Sequence, residues 1–241
     1  MVATPGADTG AVAFDDIRTS MRGAFLDAWA LAQPVDCFGC GAQDRALCSR
    51  CRAAIRPTPT PVRCDADPAV IVVAGADYAG PVRGALLALK EESRLDAARP
   101  LGLLLDGALA ALGPRLRQGD RVAELAWIPS RPSALRRRGY DPVREVLRSA
   151  RIPVARVLSA RSGGRAQKTL VREARLGSLD RFGSRGDLAG RRFVLVDDIV
   201  TTGATIADGV RAIRSAGGAV VAALAFAAPD LDTRRMPFGG G

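Results

Sequence analysis

Fifteen consecutive residues at 192–206, Arg-Phe-Val-Leu-Val-Asp-Asp-Ile-Val-Thr-Thr-Gly-Ala-Thr-Ile, leave little freedom for how the chain around them folds. The apolar run from Phe193 to the first carboxylate, Asp197, is what a strand buried on both faces requires. A small, hydroxyl-rich turn follows. From Gly203 the pattern predicts a helix with Ile206, Val210 and Ile213 on one face. The free N–H groups and positive dipole end of such a helix receive a phosphate without a basic side chain. Thr201, Thr202 and Thr205 add hydroxyl donors, Ala204 is small, and Gly203 lets the backbone approach closely. Asp197 and Asp198 fall at the carboxyl end of the strand, where an open α/β sheet binds ligands. Two carboxylates beside a phosphate repel it unless they face something else, and the 2- and 3-hydroxyls of a ribose are suitable partners. The plainer alternative is a buried strand ending in a solvated Asp-Asp turn.

Charge is distributed unevenly along the 241 residues. The 131–192 stretch holds 17 Lys/Arg against 5 Asp/Glu, whereas the rest of the chain is close to neutral. A local excess of this kind suits a polyanion: a phosphorylated sugar, pyrophosphate or nucleic acid. Composition drift is the alternative, since only Lys90 and Lys168 are lysines. No run approaches the ~18 apolar residues of a membrane helix. A short amphipathic pattern at 22–32 is interrupted by Asp27 and lacks a cleavage context, so it does not read as a signal peptide. The expected setting is cytoplasmic, without membrane insertion.

Cys37-Phe-Gly-Cys40 and Cys48-Ser-Arg-Cys51 form two Cys-x-x-Cys knuckles separated by a short loop. Four thiolates so placed make the closed tetrahedral site preferred by structural zinc. Paired disulfides are the alternative, which a cytoplasmic setting disfavours. Cys64 is left over and reads as a plain thiol.

The 57–62 run Pro-Thr-Pro-Thr-Pro-Val is a stiff, extended connector. Beyond it the pattern predicts strands at 69–76, 122–128, 154–158 and 220–227. Helices are predicted from Pro81, at 101–112 and at 142–150, and one after Gly203 is stopped by Gly217-Gly218. Strands alternating with helices indicate an open, mostly parallel α/β sheet. The expected division is a flexible N-terminus (1–20), a helix with a four-cysteine zinc module (21–66), the α/β domain (67–228) and a flexible tail (229–241). Gly163-Gly-Arg-Ala-Gln-Lys168-Thr169 fails as a phosphate-binding P-loop, because Gln167 stands where glycine is required.

The Asp-Asp-Ile-Val-Thr-Thr-Gly run resembles the motif of type I phosphoribosyltransferases, which bind 5-phosphoribosyl 1-diphosphate (PRPP). The resemblance assigns the ribose hydroxyls to Asp197 and Asp198 and the 5-phosphate to Thr201, Thr202, Gly203, Ala204 and Thr205. Together with the two knuckles, Tyr78-Ala-Gly-Pro-Val-Arg, Arg138-Gly139-Tyr140, and Gln167, Leu170 and Arg175, the chain resembles the ComF family. These are competence-associated proteins of phosphoribosyltransferase fold with an N-terminal four-cysteine zinc module. The resemblance implies PRPP as ligand, Mg2+ with it, and Ser130, Arg138 and Lys90 as candidates on the pyrophosphate side. Three departures lie on that side: Ile-Pro-Ser130 in place of Pro-Val-Pro, Asp141-Pro142 in place of Asn-Gln, and Ser178 in place of Asn.

Three functions follow from these residues. The first is PRPP-dependent ribosyl transfer with release of pyrophosphate. With no histidine in the chain, the catalytic residue is unassigned. The second is a single-stranded-DNA-associated accessory, working with competence or DNA-processing proteins and using the pocket as sensor or relic. The third is a PRPP-sensing regulator, which ranks last for want of a DNA-reading helix pair.

Overall fold

The computed structural model describes residues 35–118, 121–161 and 181–229. The expected N-terminal segment with its 22–32 helix lies outside the described residues. So do the glycine-lysine stretch at 163–169, the family positions Leu170, Arg175 and Ser178, and the tail beyond 229.

A five-stranded sheet forms the centre, in the order β1 (Thr60–Val62), β2 (Val72–Asp77), β9 (Ala219–Ala228), β8 (Arg192–Ile199), β5 (Glu124–Trp127). β2, β9, β8 and β5 run parallel, and β1 joins the edge antiparallel to β2. The sheet is therefore mostly parallel, as the alternating pattern requires. The proline-rich connector is extended, and its last residues serve as the edge strand. Proline suits an edge because it leaves no N–H for a further neighbour.

Parallel strands demand cover on both faces, and β8 shows how the sequence meets that demand. Val194 and Val196 face one apolar cluster while Phe193 and Leu195 face the other. The first cluster is closed by α2 (Gly80–Glu91), α3 (Ala98–Leu112) and α5 (Pro142–Ser149). The second is closed by α6 (Ala204–Ser215) and by the small antiparallel pair β6 (Leu158–Ala160) and β7 (Phe182–Ser184). Ile206, Val210 and Ile213 are all buried, so the apolar stripe of α6 is the one its sequence spacing predicts.

One local reading changes. The strand expected at 154–158 shrinks to one parallel bridge between Ala155 and Ala126, and pairing moves on to 158–160. The basic segment before Gly139, to which the sequence pattern assigns no element, forms a short helix, α4 (Pro132–Arg138). Proline at its start and a left-handed Gly139 at its end bound it on both sides. A two-residue hairpin, β3 (Arg117–Gln118) with β4 (Arg121–Val122), precedes β5. The remaining helix, α1 (Ser49–Ala54), belongs to the cysteine module. Among the described residues, no helix is long and apolar enough to cross a membrane.

The cysteine module sits on α2. Gly84 makes this possible, because a Cβ there would lie 1.9 Å from the Phe38 carbonyl oxygen. Arg94 fastens the same edge, donating to the carbonyl oxygens of Asp36 (2.7 Å) and Ala46 (3.3 Å) while lying over the Phe38 ring.

Candidate functional site

All four parallel strands end on one edge of the sheet. β8, the apolar strand at 192–199, brings Asp197 and Asp198 to that edge. Asp197 is buried, and its Oδ1 accepts the Asp198 N–H at 2.9 Å. Burial, reinforced by the neighbouring Asp198 charge, pushes its carboxyl up to about 8, against the pull of the Asp198 N–H and of Lys90. Asp141 adds to the upward push. Asp198 points less deeply, and its Oδ2 holds Lys90 Nζ at 2.8 Å. Lys90 comes from the last turn of α2, so two elements far apart in sequence meet at the acid pair.

The turn after β8 exposes Thr201 and Thr202 and buries Gly203. Gly203 caps α6 with φ +78°, a left-handed conformation that glycine adopts freely. Its carbonyl already accepts the Ala207 N–H at 2.8 Å, while the N–H groups of the first turn have no intrahelical partner. Thr202 Oγ1 lies 3.4 Å from the Ala204 N–H. Backbone N–H donors at the start of α6 thus follow closely on the two carboxylates, among the hydroxyls of Thr201, Thr202 and Thr205.

The last turn of α2 is a junction. Besides Lys90 it carries Leu89, whose carbonyl accepts the Tyr140 hydroxyl, and Glu91, which lies 3.4 Å from Arg137 and 3.6 Å from Arg138. Arg138 is largely enclosed, and its Nε has no hydrogen-bond partner among the described residues. Ser130 follows β5, whose neighbour is β8, and the Ile128 N–H is bonded to the Val196 carbonyl at 2.9 Å. Of the three pyrophosphate-side candidates, Lys90 touches the acid pair directly. Arg138 instead meets Glu91, and the Ser130 N–H goes to Asp141 Oδ2 at 2.7 Å.

Further residues support the turn, none of which the sequence placed there. Cys64 Sγ lies 3.7 Å from the Gly203 carbonyl, buried against the underside of the turn, and the Ala66 N–H bonds the Thr202 carbonyl at 3.2 Å. Burial raises the Cys64 thiol's pKa, which keeps it protonated and unreactive. Arg181 places Nη1 3.3 Å from Thr205 Oγ1 and Nε 3.2 Å from buried Asp208, an ion-pair distance without hydrogen-bond alignment. Arg211 holds the other oxygen of Asp208. The spacing of Thr205, Asp208 and Arg211 puts all three on one helix face, a legible signal. Arg181 is one arginine among many in a basic stretch, and nothing local marks Cys64.

The four sulfurs of Cys37, Cys40, Cys48 and Cys51 lie within 4.8 Å of one another. Cys40 and Cys48 are 3.7 Å apart, close to the ~3.8 Å edge expected of a tetrahedron with Zn–S bonds of about 2.3 Å. Backbone N–H groups of Cys48 and Cys51 point at the sulfurs of Cys37 and Cys48, both at 3.4 Å. Such donors stabilise thiolates, as a metal site needs. Against the upward push of burial, N–H groups of Cys48, Gly39 and Cys40 bring Cys37 down to about 6. Burial and the adjoining thiols push Cys51 up to about 12. Without a cation the cluster cannot ionise fully, so the donor set fits a closed zinc site with all four positions filled by sulfur.

Comparison with known proteins converges on the same region. Residues 134–235 match the Phosphoribosyl transferase domain. The chain is 33% identical over 69 residues, 29% of its length, to an orotate phosphoribosyltransferase of Nocardioides sp.. It is 50% identical over 40 residues, 17% of its length, to one of Pyrobaculum calidifontis. It spans 38% and 21% of the length of those two relatives. The chain thus carries a phosphoribosyltransferase domain on an open, mostly parallel sheet, with a four-cysteine cluster able to bind zinc near its N-terminal side.

Proposed function

We propose that this chain is a PRPP-binding phosphoribosyltransferase of ComF type, transferring ribosyl 5-phosphate with release of pyrophosphate. One observation carries the reading: an acid pair at the end of β8, Asp197 buried and Asp198 half-buried, leads into a glycine-capped helix N-terminus. In this reading Thr201, Thr202, Gly203, Ala204 and Thr205 take the 5-phosphate, through the first-turn N–H groups and the hydroxyls. Asp197 and Asp198 face the ribose hydroxyls. Lys90, already at the acid pair, and Arg138 with Ser130 lie on the side of the leaving group. The division into a zinc module at 21–66 and a transferase-like domain at 67–228, in a cytoplasmic protein, belongs to the same reading.

The chemistry would be displacement of pyrophosphate from ribose C1 through an oxocarbenium-like transition state. The chain's own part is positioning and electrostatics. The helix terminus fixes one end of the sugar phosphate, and the acid pair fixes the ring beneath it. The N–H of Asp198 and the Lys90 ammonium steady the two carboxylates. Mg2+ would be held by ligand oxygens and waters in front of Asp197 and Asp198, neutralising diphosphate charge. An acceptor with a basic ring nitrogen or amine needs no histidine to activate it.

The test is calorimetric titration of PRPP with Mg2+ into the zinc-loaded protein beside an Asp197→Ala, Asp198→Ala double variant. Binding by the wild type, abolished in the variant, is expected. Pyrophosphate release is then screened with nitrogen acceptors. A folded, zinc-loaded wild type that ignores PRPP refutes the reading. The next assay would be salt-dependent binding of single-stranded DNA. The exposed Arg131, Arg136, Arg137, Arg144, Arg148 and Arg151 favour that second function, with competence or DNA-processing proteins as partners.

A further inference from the structure

Arg181 stands immediately before β7, and its carbonyl accepts the Arg161 N–H at 2.8 Å, so the pairing of β6 with β7 fixes its backbone. Phe182, the next residue, is buried in the apolar cluster that also holds Ile206 and Val210 of α6. This anchorage lays the Arg181 side chain along the start of α6. Nη1 lies 3.3 Å from Thr205 Oγ1, and Nε lies 3.2 Å from one oxygen of Asp208. Asp208 is 5% exposed, and Arg211 holds its other oxygen. One buried carboxylate therefore faces two guanidinium groups, and no other acid pairs with either among the described residues. Arg211 alone neutralises Asp208, so the ion pair does not require Arg181. The second cation also sits near the positive end of the helix dipole, which by itself disfavours it there.

Resting on the ribosyl-phosphate reading above, we propose that Arg181 is a positioning residue of the 5-phosphate site. Its Nη1 holds the Thr205 hydroxyl as an acceptor and so commits the hydroxyl proton to the phosphate. Its charge, not needed by Asp208, complements the same anion.

A threonine hydroxyl offers one proton and two lone pairs, and a free one rotates between donating and accepting. An arginine N–H can only donate, so its contact with Oγ1 makes Thr205 the acceptor on that side. No described residue accepts the Thr205 proton in turn. Around it, the first-turn N–H groups of α6 are donors as well, and an anion is the group that all of them can share. Linked hydrogen bonds polarise one another, so a hydroxyl that accepts from a guanidinium donates more strongly than a free one. Thr205 and Asp208 are three residues apart and lie on one helix face, where a single rigid guanidinium reaches both. Removing Arg181 leaves Asp208 with Arg211, so the loss strips no buried acid of its cation. That separates a role at the phosphate from a role in folding.

The experiment is a double-mutant cycle on affinity. Ribose 5-phosphate with Mg2+ is titrated calorimetrically into the zinc-loaded wild type, Arg181→Met, Thr205→Val and the double variant, with urea midpoints measured alongside. Methionine keeps an apolar stem without donor or charge, and valine keeps threonine's shape without the hydroxyl. Each single variant is expected to bind about tenfold more weakly, as loss of one hydrogen bond to a charged group gives. The double variant should lie within about threefold of either single one, because the two residues act through one bond. Losses that multiply to about a hundredfold overturn the proposal, since Arg181 then acts independently of Thr205. Unchanged affinity in Arg181→Met, with a lowered urea midpoint or without one, overturns it as well. If Arg181→Met does not fold, Arg181→Gln, shorter and uncharged, carries the same cycle under the same criteria. A wild type that binds neither ribose 5-phosphate nor PRPP overturns the ribosyl-phosphate reading and this proposal with it. A wild type that binds ribose 5-phosphate whether or not Arg181 is present overturns this one alone.

Discussion

Replacing Gly203 by alanine tests whether the turn is held from beneath. Its φ of +78° would cost a non-glycine residue about 1–2 kcal/mol. The added Cβ would lie 2.3 Å from Cys64 Sγ, well inside the ~3.5–4 Å at which heavy atoms rest. Relieving such an overlap in a packed site costs roughly another 1–3 kcal/mol. The total expected for Gly203→Ala is therefore about 2–5 kcal/mol, read from urea denaturation midpoints at constant m. Cys64→Ala removes the sulfur but leaves Cys64 Cα and Cβ 3.3 Å away, tight though tolerable. In that background Gly203→Ala should cost only its backbone share, about 1–2 kcal/mol. The double-mutant cycle should thus show a coupling of about 1–3 kcal/mol in the sense of relief. Should Gly203→Ala cost the same with and without the sulfur, the turn does not rest on Cys64, and the support described here is wrong.

Asp197→Asn should stabilise the protein in mildly alkaline solution. A carboxyl raised from 3.8 to about 8 binds more protons folded than unfolded, so its contribution is greatest below pH ~4 and is lost as pH rises towards ~8. Denaturation midpoints at pH 5.5 and 8.5 should therefore diverge in the wild type and draw together in the variant. The gain at the higher pH is on the order of a few kcal/mol, and a loss of stability there would contradict it. The cysteine cluster should carry one zinc per chain by elemental analysis, and Cys48→Ser should release it. Because Phe38 and Arg94 tie the module to α2, metal loss should also weaken sugar-phosphate binding through Lys90. Unchanged affinity in a zinc-free but folded chain would show the two sites to be independent.

The element that governs the site was written locally. A strand buried on both faces, an acid pair, a hydroxyl turn and a glycine-capped amphipathic helix are consecutive residues. Their order alone fixes which group neighbours which, because backbone geometry spans only a few ångströms per residue. The two cysteine knuckles were legible for the same reason, their ligand spacing being set by a tight turn at Cys37–Cys40 and by the first turn of α1 at Cys48–Cys51. Basic residues 136–138 were harder. Their helix is seven residues long, too short for periodicity to declare itself, and proline and glycine at its ends decide it instead.

What local order could not supply was the partner of each side chain across the sheet edge. Lys90 meets Asp198 over more than a hundred residues of chain, because parallel strands return every helix to the same edge. Cys64 lies under Gly203 by the same closure, 139 positions away in sequence. Asp141 is noticed in the sequence only as an unusual residue, whereas the folded chain gives each of its two oxygens a separate N–H. Short-range chemistry is encoded by neighbours in the chain. Charge pairing, burial and the pKa of Asp197 depend on atoms that only the packing of the layers brings within reach.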